Sequence, residues 1–213
     1  QFLFYKHNAC PSCGACSFIG TSTTMPIMAE ALGLMLPGTA LLPATSDELV
    51  CAPQNAGQYL MELVKKGLRA RDIATAKSFE NAIKVHAAIS GSTNALLHLP
   101  TIAREFGIDL DAGSIDEVHR QAHYLLDLRP AGRWPGEFFH YAGGVPGILR
   151  EIKHELHLDV MTVTGKTLGE NLEELEQSAY YEKCAELLKK WNLKREDIIR
   201  PYDKPIGTNG TIA

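Results

Sequence analysis

The sequence predicts a helix-rich, mixed α/β layer fold. Apolar residues recur at three- and four-residue spacing in window after window, the period of a half-buried helix. Only two short windows read as strands. Gly and Pro punctuate the periodic windows at short intervals, as connections do in a layered domain. The chain has 213 residues, enough for one sizeable domain.

The first helix is expected over Met25–Met35, with Pro26 in its first turn and Pro37-Gly38 closing it. Thr39–Pro43 reads as a short strand. Asn55–Lys66 sets Tyr59, Leu60, Leu63 and Val64 on one helical face and stops at Gly67. Phe79–Ile89 is amphipathic. Gly91-Ser92-Thr93-Asn94 reads as a capped start for a helix carrying Leu96, Leu99, Ile102, Ala103 and Phe106, with Gly107 as its stop.

Ser114–Leu126 carries a capping-box pattern, Ser114 with Glu117 three residues on. Arg129–Gly136 is a loop rich in Pro and Gly, and Gly143-Gly144-Val-Pro precedes a helix over Ile148–Leu156. Asp159–Val163 is the second strand. Leu168–Glu176 and Tyr181–Leu188 are mixed-charge helices, with Glu173, Glu174 and Glu176 facing solvent.

Composition excludes several classes of partner. A net charge of −4 offers no basic face for nucleic acid or an anionic membrane. No apolar stretch approaches the roughly 20 residues that span a bilayer. The sequence opens on no secretory signal, so a cytoplasmic setting is expected, and the five cysteines fit thiol or metal chemistry better than disulfides. The chain begins at Gln1 without Met and ends on a glycine-rich turn into a strand-like segment. Those ends read as the ends of a fragment.

Cys10, Cys13 and Cys16 repeat at a spacing of three in a small-residue loop, Asn8-Ala-Cys-Pro-Ser-Cys-Gly-Ala-Cys-Ser-Phe-Ile-Gly. Clustered thiolates suit soft metals and iron–sulfur clusters. A ferredoxin-type run needs a fourth cysteine followed by proline, and neither Cys51 nor Cys184 has that context. Spacing alone leaves two readings open, a metal or cluster site and a group of small, partly buried thiols.

Thr21-Ser22-Thr23-Thr24 and Gly91-Ser92-Thr93-Asn94 are either helix caps or holders of an anion at a helix N-terminus. Gly165-Lys166-Thr167 is no phosphate loop, because the pattern places a glycine where Val160 stands. His86 and His98 fall on apolar helical patterns and read as partly buried imidazoles. His119 and His123 share an i, i+4 face that reads as solvated.

Four ordered motifs carry a resemblance that covers essentially the whole chain. They are Asn8–Pro37, Gly91-Ser-Thr-Asn-Ala-Leu-Leu-His-Leu99, Tyr141-Ala-Gly-Gly-Val-Pro146 and Met161-Thr-Val-Thr-Gly-Lys-Thr-Leu-Gly-Glu-Asn-Leu172. Together they resemble the dihydroxy-acid and phosphogluconate dehydratase (IlvD/Edd) family. Within it, the cysteine loop and the segment His86–Arg104 look most like dehydratases of sugar acids such as D-xylonate; dihydroxy-acid and 6-phosphogluconate dehydratases are the alternatives.

The resemblance implies a helix-rich part of an N-terminal α/β/α domain over 1–199. It also implies a linker and the start of a β-rich C-terminal domain, itself missing, over 200–213. The implied activity is a hydro-lyase that converts a 2,3-dihydroxy acid into a 2-keto-3-deoxy acid, with an iron–sulfur cluster, [2Fe–2S] ahead of [4Fe–4S], and Mg²⁺. The cluster would act as Lewis acid on the departing hydroxyl, and Mg²⁺ would acidify the C2 proton.

The family's cluster cysteine falls on Cys16. Cys13 and Cys10 are neighbours with a weaker claim, and Thr21, Thr23 and Ser92 are candidates near the substrate. The family's remaining cluster cysteines, its Mg²⁺ ligands and its catalytic serine have no counterpart here. The chain alone is therefore expected to be inactive, and the full-length form a homo-oligomer acting on a small sugar acid. Another class of reading is a non-catalytic iron–sulfur, electron-transfer or regulatory module.

Overall fold

The computed structural model describes Phe2, residues 16–44 and residues 46–208. Ten α-helices are named here in chain order: α1 (Thr21–Ala31), α2 (Asp47–Lys66), α3 (Ala70–Ile73), α4 (Ala76–Ile89), α5 (Ala95–Glu105), α6 (Ala112–Gln121), α7 (Gly136–Tyr141), α8 (Gly144–Glu151), α9 (Leu168–Gln177) and α10 (Tyr180–Lys189). Two 3₁₀ turns, Lys153–Glu155 and Arg195–Asp197, lie between them or after them among the described residues. The helix-rich architecture read from periodicity is the observed one.

α4 is the hub. It packs on α1, α5, α6 and α8, which explains why ten of its residues are buried, from Ser78 and Phe79 to Ile89. Its start is a capping box, in which the Thr75 hydroxyl accepts from the Ser78 N–H at 3.3 Å. Its end is closed by Ser90 in the left-handed region and by the Gly91 N–H donating to the His86 carbonyl at 3.0 Å. Gly91 is required by space: a Cβ there would lie 2.4 Å from His86 Cδ2.

α1 starts four residues before the expected position, so Pro26 lies inside the helix. There it removes a backbone donor from the ladder. Gly33, at φ +79°, ends the helix well before Pro37. Thr39–Pro43 is a series of turns, not a strand. Asp159–Val163 forms only the isolated bridge Met161↔Thr167. Among the described residues, pairing of extended segments is confined to such bridges.

The Ser114 cap is also corrected. Asp111 is the N-cap of α6, its carboxylate accepting from Gly113 N–H at 2.7 Å and Ser114 N–H at 3.0 Å. α6 stops at Gln121, and the chain turns extended through the core. There Tyr124 bridges Gly207 and Leu126 bridges Ile199. Leu125 takes both main-chain partners from neighbours: its N–H reaches Ala88 O at 2.9 Å and its carbonyl receives Arg200 N–H at 2.8 Å. The leucines of this buried segment also match a helical period, which is why the sequence predicts helix through Leu126. α7 leaves no periodic signal in the sequence, since its six residues are too few to show one.

α2 ends as expected on Gly67 at φ +68°. It starts earlier, at Asp47, and buries none of its residues. Leu60 and Val64 stand 60% and 65% exposed. Between α2 and the segment 34–42 lies an apolar groove of about 460 Å³ lined by Leu34, Leu36, Leu42, Leu60 and Leu63. Among the described residues, no helix is long and apolar enough to cross a membrane.

Candidate functional site

The N-terminal turn of α1 and the loop 91–94 meet, although about 70 residues separate them. The Ser92 N–H donates to the buried Thr24 hydroxyl at 3.0 Å. The Ser92 and Thr21 hydroxyls lie 3.4 Å apart, and the Asn94 amide donates to Thr21 Oγ1. Gly20 is the N-cap of α1 and supplies no side-chain cap, and the first turn carries no acidic residue. The hydroxyls of Thr21, Thr23 and Thr24 are thus not spent on capping their own helix. They tie neighbouring chain to it.

Cys16 is held by its backbone while its side chain stays partly accessible. The Thr23 hydroxyl faces two carbonyls, Cys16 O at 3.2 Å and Phe18 O at 3.1 Å. The next residues are pinned to the loop 129–136: Gly136 N–H donates to Ser17 O and Ile19 N–H to Arg129 O, each at 2.7 Å. A Cβ at position 136 would sit 2.9 Å from Cys16 O, so the two loops are in contact. Fixed main chain with an accessible thiol is what a metal ligand needs.

Cys16, Thr21, Thr23 and Ser92 are therefore brought into one neighbourhood. Cys10 and Cys13 lie outside the described residues. Cys51 is exposed on α2 and Cys184 is buried on α10, where burial pushes its thiol up to about 11. Among the described residues, no three His, Cys, Asp or Glu side chains converge as a metal site. An iron–sulfur cluster takes about four ligands, and of the three loop cysteines only Cys16 falls among the described residues. The described residues by themselves hold neither the cluster nor Mg²⁺.

The histidine assignments change. His98 is exposed, not partly buried. His119 is fully buried rather than solvated, and its Nε2 lies 3.1 Å from His86 Nδ1. His123 falls past the end of α6 and stacks on Tyr202. The run Thr21-Ser22-Thr23-Thr24 carries more hydroxyls than one helix start uses, but nothing in the sequence shows that Thr24 meets Ser92. His119 gave no such signal, because an i, i+4 polar pair reads as a wet face.

The dihydroxy-acid/6-phosphogluconate dehydratase N-terminal family matches residues 1–171. The chain belongs to that family. Relatives agree over nearly its full length. It is 40% identical to a dihydroxy-acid dehydratase of Caldicellulosiruptor bescii over 207 residues, 96% of this chain and 35% of that protein. A dihydroxy-acid dehydratase of Solidesulfovibrio magneticus is 41% identical over 210 residues, 98% of this chain and 35% of the relative. Dihydroxy-acid dehydratase 1 of Methanosarcina acetivorans is 46% identical over 170 residues, 79% and 30% of the two chains. The chain thus spans about a third of the length of these dehydratases.

Proposed function

We propose that the protein containing this chain is a hydro-lyase that removes water from a 2,3-dihydroxy acid to give a 2-keto acid. The observation that carries this reading is the identity of about 40% to proteins named dihydroxy-acid dehydratase across almost all of the chain. Those names favour a dihydroxy acid over D-xylonate, the substrate that the loop motifs first pointed to. The family resemblance brings an iron–sulfur cluster and Mg²⁺ with it; in this proposal Cys16 gives the cluster one thiolate and other ligands come from outside the described residues. Cys13 and Cys10 keep a weaker claim as ligands. The division into dehydratase domain over 1–199 and entry to a further domain over 200–213 belongs to the same proposal, as does assembly into a homo-oligomer.

Within that reaction the residues of this chain bind and position. The free N-terminus of α1 presents a partial positive charge with no competing acidic side chain in its first turn. It suits the carboxylate of the substrate. Thr21, Ser92 and Asn94 supply hydroxyl and amide groups at the same edge for the substrate's oxygens. Thr23 holds the Cys16 main chain in place.

The test uses the complete gene product, purified without oxygen and loaded with iron. It is offered 2,3-dihydroxy acids, D-xylonate and 6-phosphogluconate with Mg²⁺, and 2-keto acid release is followed. Turnover of a 2,3-dihydroxy acid without further hydroxyls, in preference to the sugar acids, is the expected result. Iron-loaded protein that forms keto acid from none of them would overturn the proposal.

A further inference from the structure

The buried pair His86 and His119 has no part in the reaction as proposed, yet it ends on the site. His86 Nε2 lies 3.0 Å from the Ser92 carbonyl oxygen, and its Nδ1 lies 3.1 Å from His119 Nε2. Both rings are completely buried, with centroids 5.1 Å apart. His119 Nδ1 is buried and has no hydrogen-bond partner among the described residues.

These contacts allow one arrangement of protons. A carbonyl oxygen only accepts, so His86 Nε2 carries its hydrogen and donates to Ser92 O. A neutral His86 then has a bare Nδ1, which must accept. His119 Nε2 is therefore the donor, and His119 Nδ1 is left as a bare lone pair. The reverse arrangement would leave an N–H on buried His119 Nδ1 without an acceptor among the described residues and set the lone pair of His86 Nε2 against those of Ser92 O. Burial also holds both imidazoles below the ordinary histidine range, His119 to about 4, which keeps the pair neutral.

We infer that His119 and His86 are positioning residues: a directional hydrogen-bonded relay that anchors the Ser92 carbonyl and so sets the Ser92 hydroxyl against Thr21 at the substrate-facing edge. Two further observations fit. Gly91 leaves only enough room for the His86 ring to reach over the turn. The N–H of the anchored residue is bound on its other side by Thr24, so Ser92 is gripped through both main-chain groups while its hydroxyl points to Thr21. The relay thus connects α6, which packs on α4, to the loop that follows α4.

The inference rests on the placing of Ser92 at the substrate edge, and its test separates the two. In the complete gene product, His86→Leu keeps much of the volume and removes the donor, whereas His86→Gln keeps an amide N–H. His86→Leu is expected to raise KM about tenfold with kcat within about threefold and iron content unchanged, and His86→Gln to recover most of the loss. Unchanged KM in iron-replete, folded His86→Leu would overturn the inference, as would a glutamine variant no better than leucine.

Should the variants fail to fold, ¹⁵N spectra of the histidine-labelled wild type decide the relay. Both rings are expected neutral with hydrogen on Nε2, and hydrogen on His86 Nδ1 would overturn it. Wild-type protein that turns over no dihydroxy acid while showing these tautomers would count against the dehydratase reading, not the relay.

Discussion

The Ser92 N–H donates to the Thr24 hydroxyl at 3.0 Å across 68 residues of chain, and Thr24 is wholly buried. This bond joins the segment that carries Cys16 to the loop that carries Ser92. Thr24→Val keeps the shape and leaves a buried N–H unpaired. It is expected to cost about 1–3 kcal/mol in urea unfolding, with Thr24→Ser close to wild type. A valine variant as stable as the serine one would show that water replaces the bond.

Asn81 is a second long-range tie. Its side-chain amide donates to His157 O at 3.0 Å, and its carbonyl accepts from His157 N–H at 2.9 Å. Asn81 is fully buried. Asn81→Leu leaves both main-chain groups of His157 without partners and is expected to destabilise by about 2–4 kcal/mol. Asn81→Asp keeps the acceptor but loses the donor and buries a charge, so it should do no better. Equilibrium denaturation of the two variants checks this.

Glu30 gives the stability a pH dependence. Its carboxylate accepts from Gly38 N–H at 2.7 Å and Ala40 N–H at 2.9 Å, yet burial pushes its pKa from 4.5 up to about 7. The folded chain therefore keeps this proton where the unfolded chain has lost it. Stability falls as pH rises from about 4.5 to about 7 and levels off above, by at most about 3 kcal/mol. Glu30→Gln should flatten that part of the profile. Unfolding free energies at pH 5 and pH 7.5 for both proteins give the answer, and parallel profiles would count against the assignment.

Equal apolar patterns do not have equal weight in this fold. Leu99 on α5 is completely buried, whereas Val64 on α2 stands 65% exposed. Leu99→Ala is expected to cost about 2–5 kcal/mol by opening a cavity. Val64→Lys should change stability by less than about 0.5 kcal/mol. A large loss from Val64→Lys in chemical denaturation would mean that the face of α2 is covered in solution.

Local signals were read well where local interactions decide. The end of α2 at Gly67, the start of α9 at Leu168 and the spacing of Leu99 and Ala103 are properties of neighbours in sequence. Errors came where two local solutions compete. Ser114 and Asp111 both suit a cap, and the carboxylate takes it by accepting two N–H groups. The end of the expected helix Ser114–Leu126 has helical spacing, but the backbone groups of Tyr124 and Leu125 find partners in Gly207, Ala88 and Arg200 instead.

By itself, the sequence determined the helical character of the chain, several helix ends and, through its ordered motifs, the dehydratase family. These follow from short-range periodicity, from turn chemistry and from residue order, none of which needs a third dimension. Tertiary structure alone decided that Thr24 meets Ser92, that His119 is buried against His86, and that the apolar stripe of α2 stays uncovered among the described residues. The physical reason is common to all three. Burial and long-range hydrogen bonds are set by which surfaces the whole fold brings together, and a periodic pattern shows that a face can be buried without showing what will bury it.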